Sequence, residues 1–118
     1  MCGEKDFLSQ GVHAANNGIM IINNEGIILV YNKTAKRIFH DRDFEPVGKH
    51  IKDVRPGAWG DLQKILQTGK PQFGMKLILP EATIIANRAP IIESGEVFGV
   101  ISIFQDVSEY ETIVSQLQ

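Results

Sequence analysis

Apolar positions along the chain repeat at two periods, one helical and one strand-like. Leu8, Val12 and Ala15 fall four and three residues apart within residues 6–16, which predicts one face of a short flanking helix stopped by Asn17-Gly18. Residues 19–22 and 27–31 read as two strands. The Asn23-Asn24-Glu25-Gly26 word between them is a hairpin signal, because Asn and Gly accept positive φ at little cost. Asn32 is then the expected N-cap of a helix through Phe39, with Ala35 and Phe39 stacked at i, i+4. From Asp41 to Gly57 the pattern breaks into turns, with one helical turn expected near Ile51. Trp59, Leu62, Ile65 and Leu66 form a longer helical stripe that Thr68-Gly69 should end. Residues 73–79, 83–92 and 97–104 all read as strands.

The last residues carry a second capping signal. Ser108-Glu109-Tyr110-Glu111 has the spacing in which a serine accepts from the third helical amide while the glutamate reaches back. Tyr110, Ile113, Val114 and Leu117 continue it as an apolar seam, which predicts the start of a signalling helix over 108–118 that runs on into a longer protein. An amphipathic helix folding back on the domain is the competing reading.

Length makes this a single domain, since 118 residues support one hydrophobic core. With 12 Lys and Arg against 14 Asp and Glu, there is no basic field for a phosphate backbone, so direct nucleic-acid binding is not expected. Cys2 is the only cysteine, which excludes an intramolecular disulfide and a cysteine-based metal site and points to the cytoplasm. No apolar run approaches the roughly 20 residues of a spanning helix, and MCGEKDF lacks the apolar centre of a signal peptide, so membrane insertion is not expected.

Four local words occur in an order that resembles a PAS domain from about Phe7 to the end of the chain. NNEGIILVYNKTAKRIF (23–39) resembles that family's opening hairpin and Asn-started helix, and VGKHIKDV (47–54) the segment after it. IIESGEVFGVISIFQDVSE (91–109) is similar to the closing hairpin and the exit signature, here Asp106-Val107-Ser108-Glu109. ANRAPI (86–91) resembles a word in the PAS sensor domains of bacterial sigma-54-dependent transcription activators. The resemblance implies an α+β fold with a five-stranded antiparallel sheet in the order 2-1-5-4-3, short helices on one face, and flanking N- and C-terminal helices. The core would span 18–107 and enclose a small cavity in which many relatives hold a ligand or cofactor, with no catalysis of its own.

Pairing within the hairpins then predicts faces. A two-residue Pro80-Glu81 turn sets Leu77 opposite Ile84, Met75 opposite Ala86 and Phe73 opposite Arg88, all on the inner face, with Gly74 and Asn87 on the outer one. A three-residue Ser94-Gly95-Glu96 loop sets Arg88 opposite Ser102 and Ala86 opposite Phe104, whereas a two-residue turn would reverse the parity. Ile101 and Ile103 then lie on the outer face, as a surface for a terminal helix or a second subunit. Pro90, lacking an amide hydrogen, should lie at a bulge or near the hairpin end.

An inward guanidinium needs a partner, because Arg does not escape burial by losing its proton. Arg88 is therefore the candidate anchor for the anionic group of a small organic acid, with Ser102 as a second donor and Trp59, Phe73, Met75 and Phe104 as apolar walls. The competing reading pairs Arg88 with a protein acid such as Asp53 or Asp61, or lets it reach water. His13, His40 and His50 have no metal-binding spacing. Residues 59–68 lack the histidine that holds haem in some relatives, and no internal cysteine is available for a covalent flavin, so neither cofactor is expected. Gly48-Lys49 and Gly69-Lys70 lack the remainder of a phosphate loop. Ser108 has no base to make it a nucleophile.

Together these features predict a sensory module, not an enzyme. It would form a homodimer through Leu8, Val12, Ile101, Ile103, Tyr110 and Ile113. Asp106 and Ser108 would couple the last strand to an effector domain in the same longer chain. The alternative is a ligand-free PAS dimerisation module with a filled core.

Overall fold

Asn32 shows how sequence becomes architecture at the start of the domain. Its Oδ1 accepts from the Ala35 amide at 2.9 Å and from the Ile19 amide at 3.0 Å, while its Nδ2 donates to the Asn17 carbonyl at 3.0 Å. One fully buried side chain thus caps the first helix and fastens it to the first strand. The computed structural model describes residues 17–41 and 43–108. Within them β1 (Gly18–Asn23), β2 (Ile28–Tyr31), α1 (Lys33–Ile38), α2 (Ile51–Val54), α3 (Pro56–Thr68), β3 (Gln72–Ile78), β4 (Thr83–Glu93) and β5 (Glu96–Asp106) follow in order. The expected helix over 6–16 and all but Ser108 of the one over 108–118, with Leu8, Val12, Tyr110 and Ile113, lie outside the described residues.

The strands form one antiparallel sheet ordered β2-β1-β5-β4-β3, as expected. Asn23 closes the first hairpin, its Oδ1 accepting from the Glu25 and Ile27 amides at 2.9 Å each. Inward residues such as Ile22, Ile84, Val100 and Phe104 meet Ala35, Ile38, Ile51, Leu62 and Ile65 from the helices in one core. Helix α3 ends at Gly69, whose left-handed φ of 70° lets its amide donate to the Ile65 carbonyl at 2.8 Å.

Two expectations about register needed correction, and both corrections are β-bulges. Met75 faces Ala86 and Leu77 faces Ile84 as predicted, but Gln72, not Phe73, faces Arg88. An extra residue is inserted where Gly74 adopts φ 64° and its amide donates to Asn87 Oδ1 at 2.8 Å. The inserted residue flips the parity, so Phe73 points to solvent with 69% of its surface exposed. Asn87 therefore holds the bulge through its Oδ1.

At the closing hairpin the loop is the two-residue Ser94-Gly95 turn, with Glu93 opposite Glu96 and both turn residues at positive φ. Such a turn alone would reverse the faces, but Ile92 pairs with Val97 and Ile91 with Gly99, leaving Phe98 as an extra residue. The bulge restores the parity, and Arg88 faces Ser102 while Ala86 faces Phe104. Pro90 lies beyond the last β3–β4 pair and next to this bulge. Ile103 is exposed and Ile101 half-buried on the outer face.

Candidate functional site

The sheet's inner face, Phe39 at the end of α1, and the α2–α3 segment leave a cavity of about 330 Å3 between them, toward the small end of the range for small-molecule pockets. Its waist is apolar: Met20, Phe39, Leu77, Ile84, Ala86 and Phe104. Its two ends are polar, each built around one arginine.

At one end lies Arg88. The side chain is buried, and both of its contacts run through Nη1, to Asp61 Oδ2 on α3 and to Gln72 Oε1 on β3, each at 3.5 Å. The Asp61 side chain keeps 43% of its surface in water. Burial pulls the Arg88 guanidinium below its ordinary value, and the charge and hydrogen bond of Asp61 only partly oppose this. Arginine keeps its proton regardless, so the result is a weakly paired buried cation. Across the strand pair is Ser102, 3% exposed, whose Oγ has no partner among the described residues. A buried hydroxyl without a partner is uncommon and invites one.

At the other end Arg55 is densely paired. Nη1 donates to Glu81 Oε1 at 3.0 Å, and Nη2 donates to the Phe39 carbonyl at 2.9 Å and to Asp41 Oδ2 at 3.2 Å. The guanidinium carbon also lies 4.1 Å from the centre of the Phe39 ring. Asp41 Oδ2 accepts in addition from the Tyr31 hydroxyl at 2.7 Å. Burial first, and the bond to Asp41 second, push the Tyr31 hydroxyl well above its ordinary value. Burial alone would lower Arg55, but Glu81, Tyr31 and Asp41 outweigh it and raise it, while Arg55 in turn holds Glu81 below the ordinary carboxylate range. This cluster joins β2, the loop after α1, the start of α3 and the β3–β4 turn.

Of the residues predicted to form the site, Arg88, Ser102 and Phe104 line the cavity. Met75 packs against the core without reaching the cavity wall, and Phe73 is excluded by the β3 bulge. Trp59 is also displaced from the site: its ring meets His50 edge-on, with centroids 4.6 Å apart, because α3 turns Ala58 and Asp61 toward the cavity instead. Arg55 was missed. It precedes a proline in an irregular stretch, and no spacing along the chain links residue 55 to 41 and 81.

The exit of the sheet is tied to the same strand as Arg88. The Thr83 amide donates to Ser108 Oγ at 3.0 Å, the Val107 amide donates to the Thr83 carbonyl at 2.8 Å, and the Ser108 amide donates to Asp106 Oδ1 at 2.9 Å. No group of three or more His, Cys, Asp or Glu with metal-site geometry occurs among the described residues. Nor is any described helix long and apolar enough to cross a membrane.

The family model for the PAS fold matches residues 6–107. The chain belongs to the PAS family. A probable C4-dicarboxylate sensor kinase of Halalkalibacterium halodurans is 30% identical over 89% of this PAS chain and 19% of its own length. The sensor protein CitS of the same organism is 28% identical over 97% of this chain and 21% of its own. The chain thus spans about a fifth of the length of the curated relatives it matches. Among solved structures, the PAS domain of Bordetella pertussis BvgS superposes with a TM-score of 0.68 at 20% identity, covering 98% of this chain and 94% of that one. At that identity the likeness concerns the PAS fold alone. The two curated relatives named here are sensor proteins by name, not sigma-54-dependent activators.

Proposed function

We propose that this PAS domain is the sensory module of a bacterial signalling protein and takes a small molecule into its cavity. The observation that carries the reading is the buried end at which, among the described residues, Ser102 Oγ has no partner and Arg88 is held only by contacts of 3.5 Å. A core filled solely for stability would close such a gap, since buried polar groups are costly without partners. The response is a population shift: a ligand that favours one spacing of α3 against β4 over another changes the strand end at Thr83, which is bonded to Val107 and Ser108. A ligand with equal affinity for both arrangements changes nothing.

The parent protein carries its effector domain in the same chain, acts as a homodimer, and presents this domain to the cytoplasm. The names of the relatives favour a sensor kinase as that parent over a sigma-54-dependent activator. The domain transmits a signal and carries out no reaction.

Native mass spectrometry of freshly purified chain, paired with thermal unfolding, tests the reading. A retained small molecule, or a rise in Tm with an organic ligand that Ala86→Leu abolishes by filling the cavity, is the expected result. A cavity that takes nothing rejects the sensor reading in favour of a ligand-free dimerisation module. That second reading rests on the apolar outer face, where Ile103 reaches solvent.

A further inference from the structure

The two ends of the cavity differ in how much charge they leave uncompensated, and this difference limits what the cavity can hold. Arg55 faces two carboxylates, Asp41 and Glu81, so its end is already net acidic. Glu81 Oε2 is buried there without a partner among the described residues, as a free acceptor. Arg55 Nε is likewise buried without a partner among the described residues, on a guanidinium already held by two acids, and suits a neutral acceptor better than a second anion. At the opposite end Arg88 offers Nε and Nη2 with no partner among the described residues, and its acid Asp61 is half in water and free to be displaced. Between the ends the wall is apolar.

Resting on the sensory reading above, we infer that the cavity selects a small organic anion with a single charged head, a monocarboxylate. Its carboxylate takes Arg88 from Asp61 and accepts from Ser102 Oγ, and its apolar body lies along Ala86, Ile84 and Phe104. Two forked donors on a guanidinium match the two oxygens of a carboxylate, and a serine hydroxyl adds a third hydrogen bond. A second carboxylate would either be stranded against the apolar waist or meet Glu81 and Asp41. Di- and tricarboxylates are therefore excluded by the same residues that admit a monocarboxylate. Displacement of Asp61 uncouples α3 from β4, so binding and the proposed relay use one contact.

Calorimetry and thermal unfolding of the 118-residue chain with butyrate, hexanoate, hexanamide, hexanol, succinate and citrate test this. Hexanoate is expected to bind, and each methylene from butyrate to hexanoate to tighten binding about fourfold. Hexanamide and hexanol are expected to bind at least roughly tenfold more weakly, and succinate and citrate not to bind. Arg88→Met removes hexanoate binding, while Asp61→Asn, which removes the competing acid, tightens it about tenfold. Succinate or citrate binding as well as hexanoate overturns the single-charge inference and leaves the sensory reading standing. Hexanol binding as well as hexanoate overturns the role of the anion, and unchanged affinity in Asp61→Asn overturns the competition. No response to any probe, with no retained molecule in native mass spectrometry, overturns both this inference and the reading beneath it.

Discussion

Arg55 and Arg88 line the same cavity with the same functional group, yet the protein treats them oppositely. Arg55 has two carboxylates, a backbone carbonyl and an aromatic face, with polar contacts of 2.9–3.2 Å, and leaves only its Nε without a partner among the described residues. Arg88 is more deeply buried and has two contacts at 3.5 Å through one nitrogen. Burial makes an unpaired charge costly, so the more buried arginine would be expected to have the closer partners. On the sensory reading proposed above, the inversion separates a group that holds the fold from one kept for an outside partner.

Substitutions can break that contrast, and the largest effect should come from Arg55→Met. It strands Asp41 and Glu81, each partly buried, and is expected to cost about 2–3 kcal/mol, a fall in Tm of roughly 10 °C by thermal denaturation. Tyr31→Phe leaves Asp41 short of one donor and should cost about 1.5 kcal/mol in urea unfolding. Because the folded state raises the Tyr31 value above its ordinary 10, its contribution is complete below pH 10 and is lost as pH rises beyond it. Tyr31→Phe should accordingly flatten the stability profile on the alkaline side.

Glu81→Gln should cost about 1 kcal/mol at neutral pH. The folded state lowers Glu81, so its contribution is present above the ordinary carboxylate value of 4.5 and disappears as pH falls below it. Unfolding midpoints between pH 3 and 6 should therefore depend less on pH in the variant. Arg88→Met is expected to have the smallest effect, within about 1 kcal/mol of the parent in either direction. A weak buried pair exchanged for an apolar side chain is often neutral, and the Asp61 left behind can hydrate.

The contrast between the arginines also explains what could be read from the chain. The Asn32 cap, the Asn23 turn and the Gly69 stop depend on local chemistry and were legible, while the sheet order was implied by the resemblance to PAS domains. Arg88, Ser102 and Phe104 were placed on one inner face by counting along hairpins. That count survived at β5 because the short turn and the Phe98 bulge offset each other. It failed at Phe73 because the Gly74 bulge has no counterpart to offset it. Arg55 was invisible for a different reason: its partners lie 14 and 26 residues away on either side, joined only once the sheet and helices close. Pairing that depends on tertiary closure leaves no periodic trace.

The most direct test of Arg88 as an anchor kept for a ligand is the Tm of the parent chain and of Arg88→Met, each with and without hexanoate. At about ten times Kd a single-site ligand stabilises by about 1.4 kcal/mol, so the parent should rise by roughly 5 °C. Arg88→Met should melt within about 4 °C of the parent without hexanoate and show no rise with it. If Arg88→Met instead melts about 10 °C lower without ligand, as expected for Arg55→Met, or rises with hexanoate as the parent does, Arg88 is a structural residue and the cavity is not built around it.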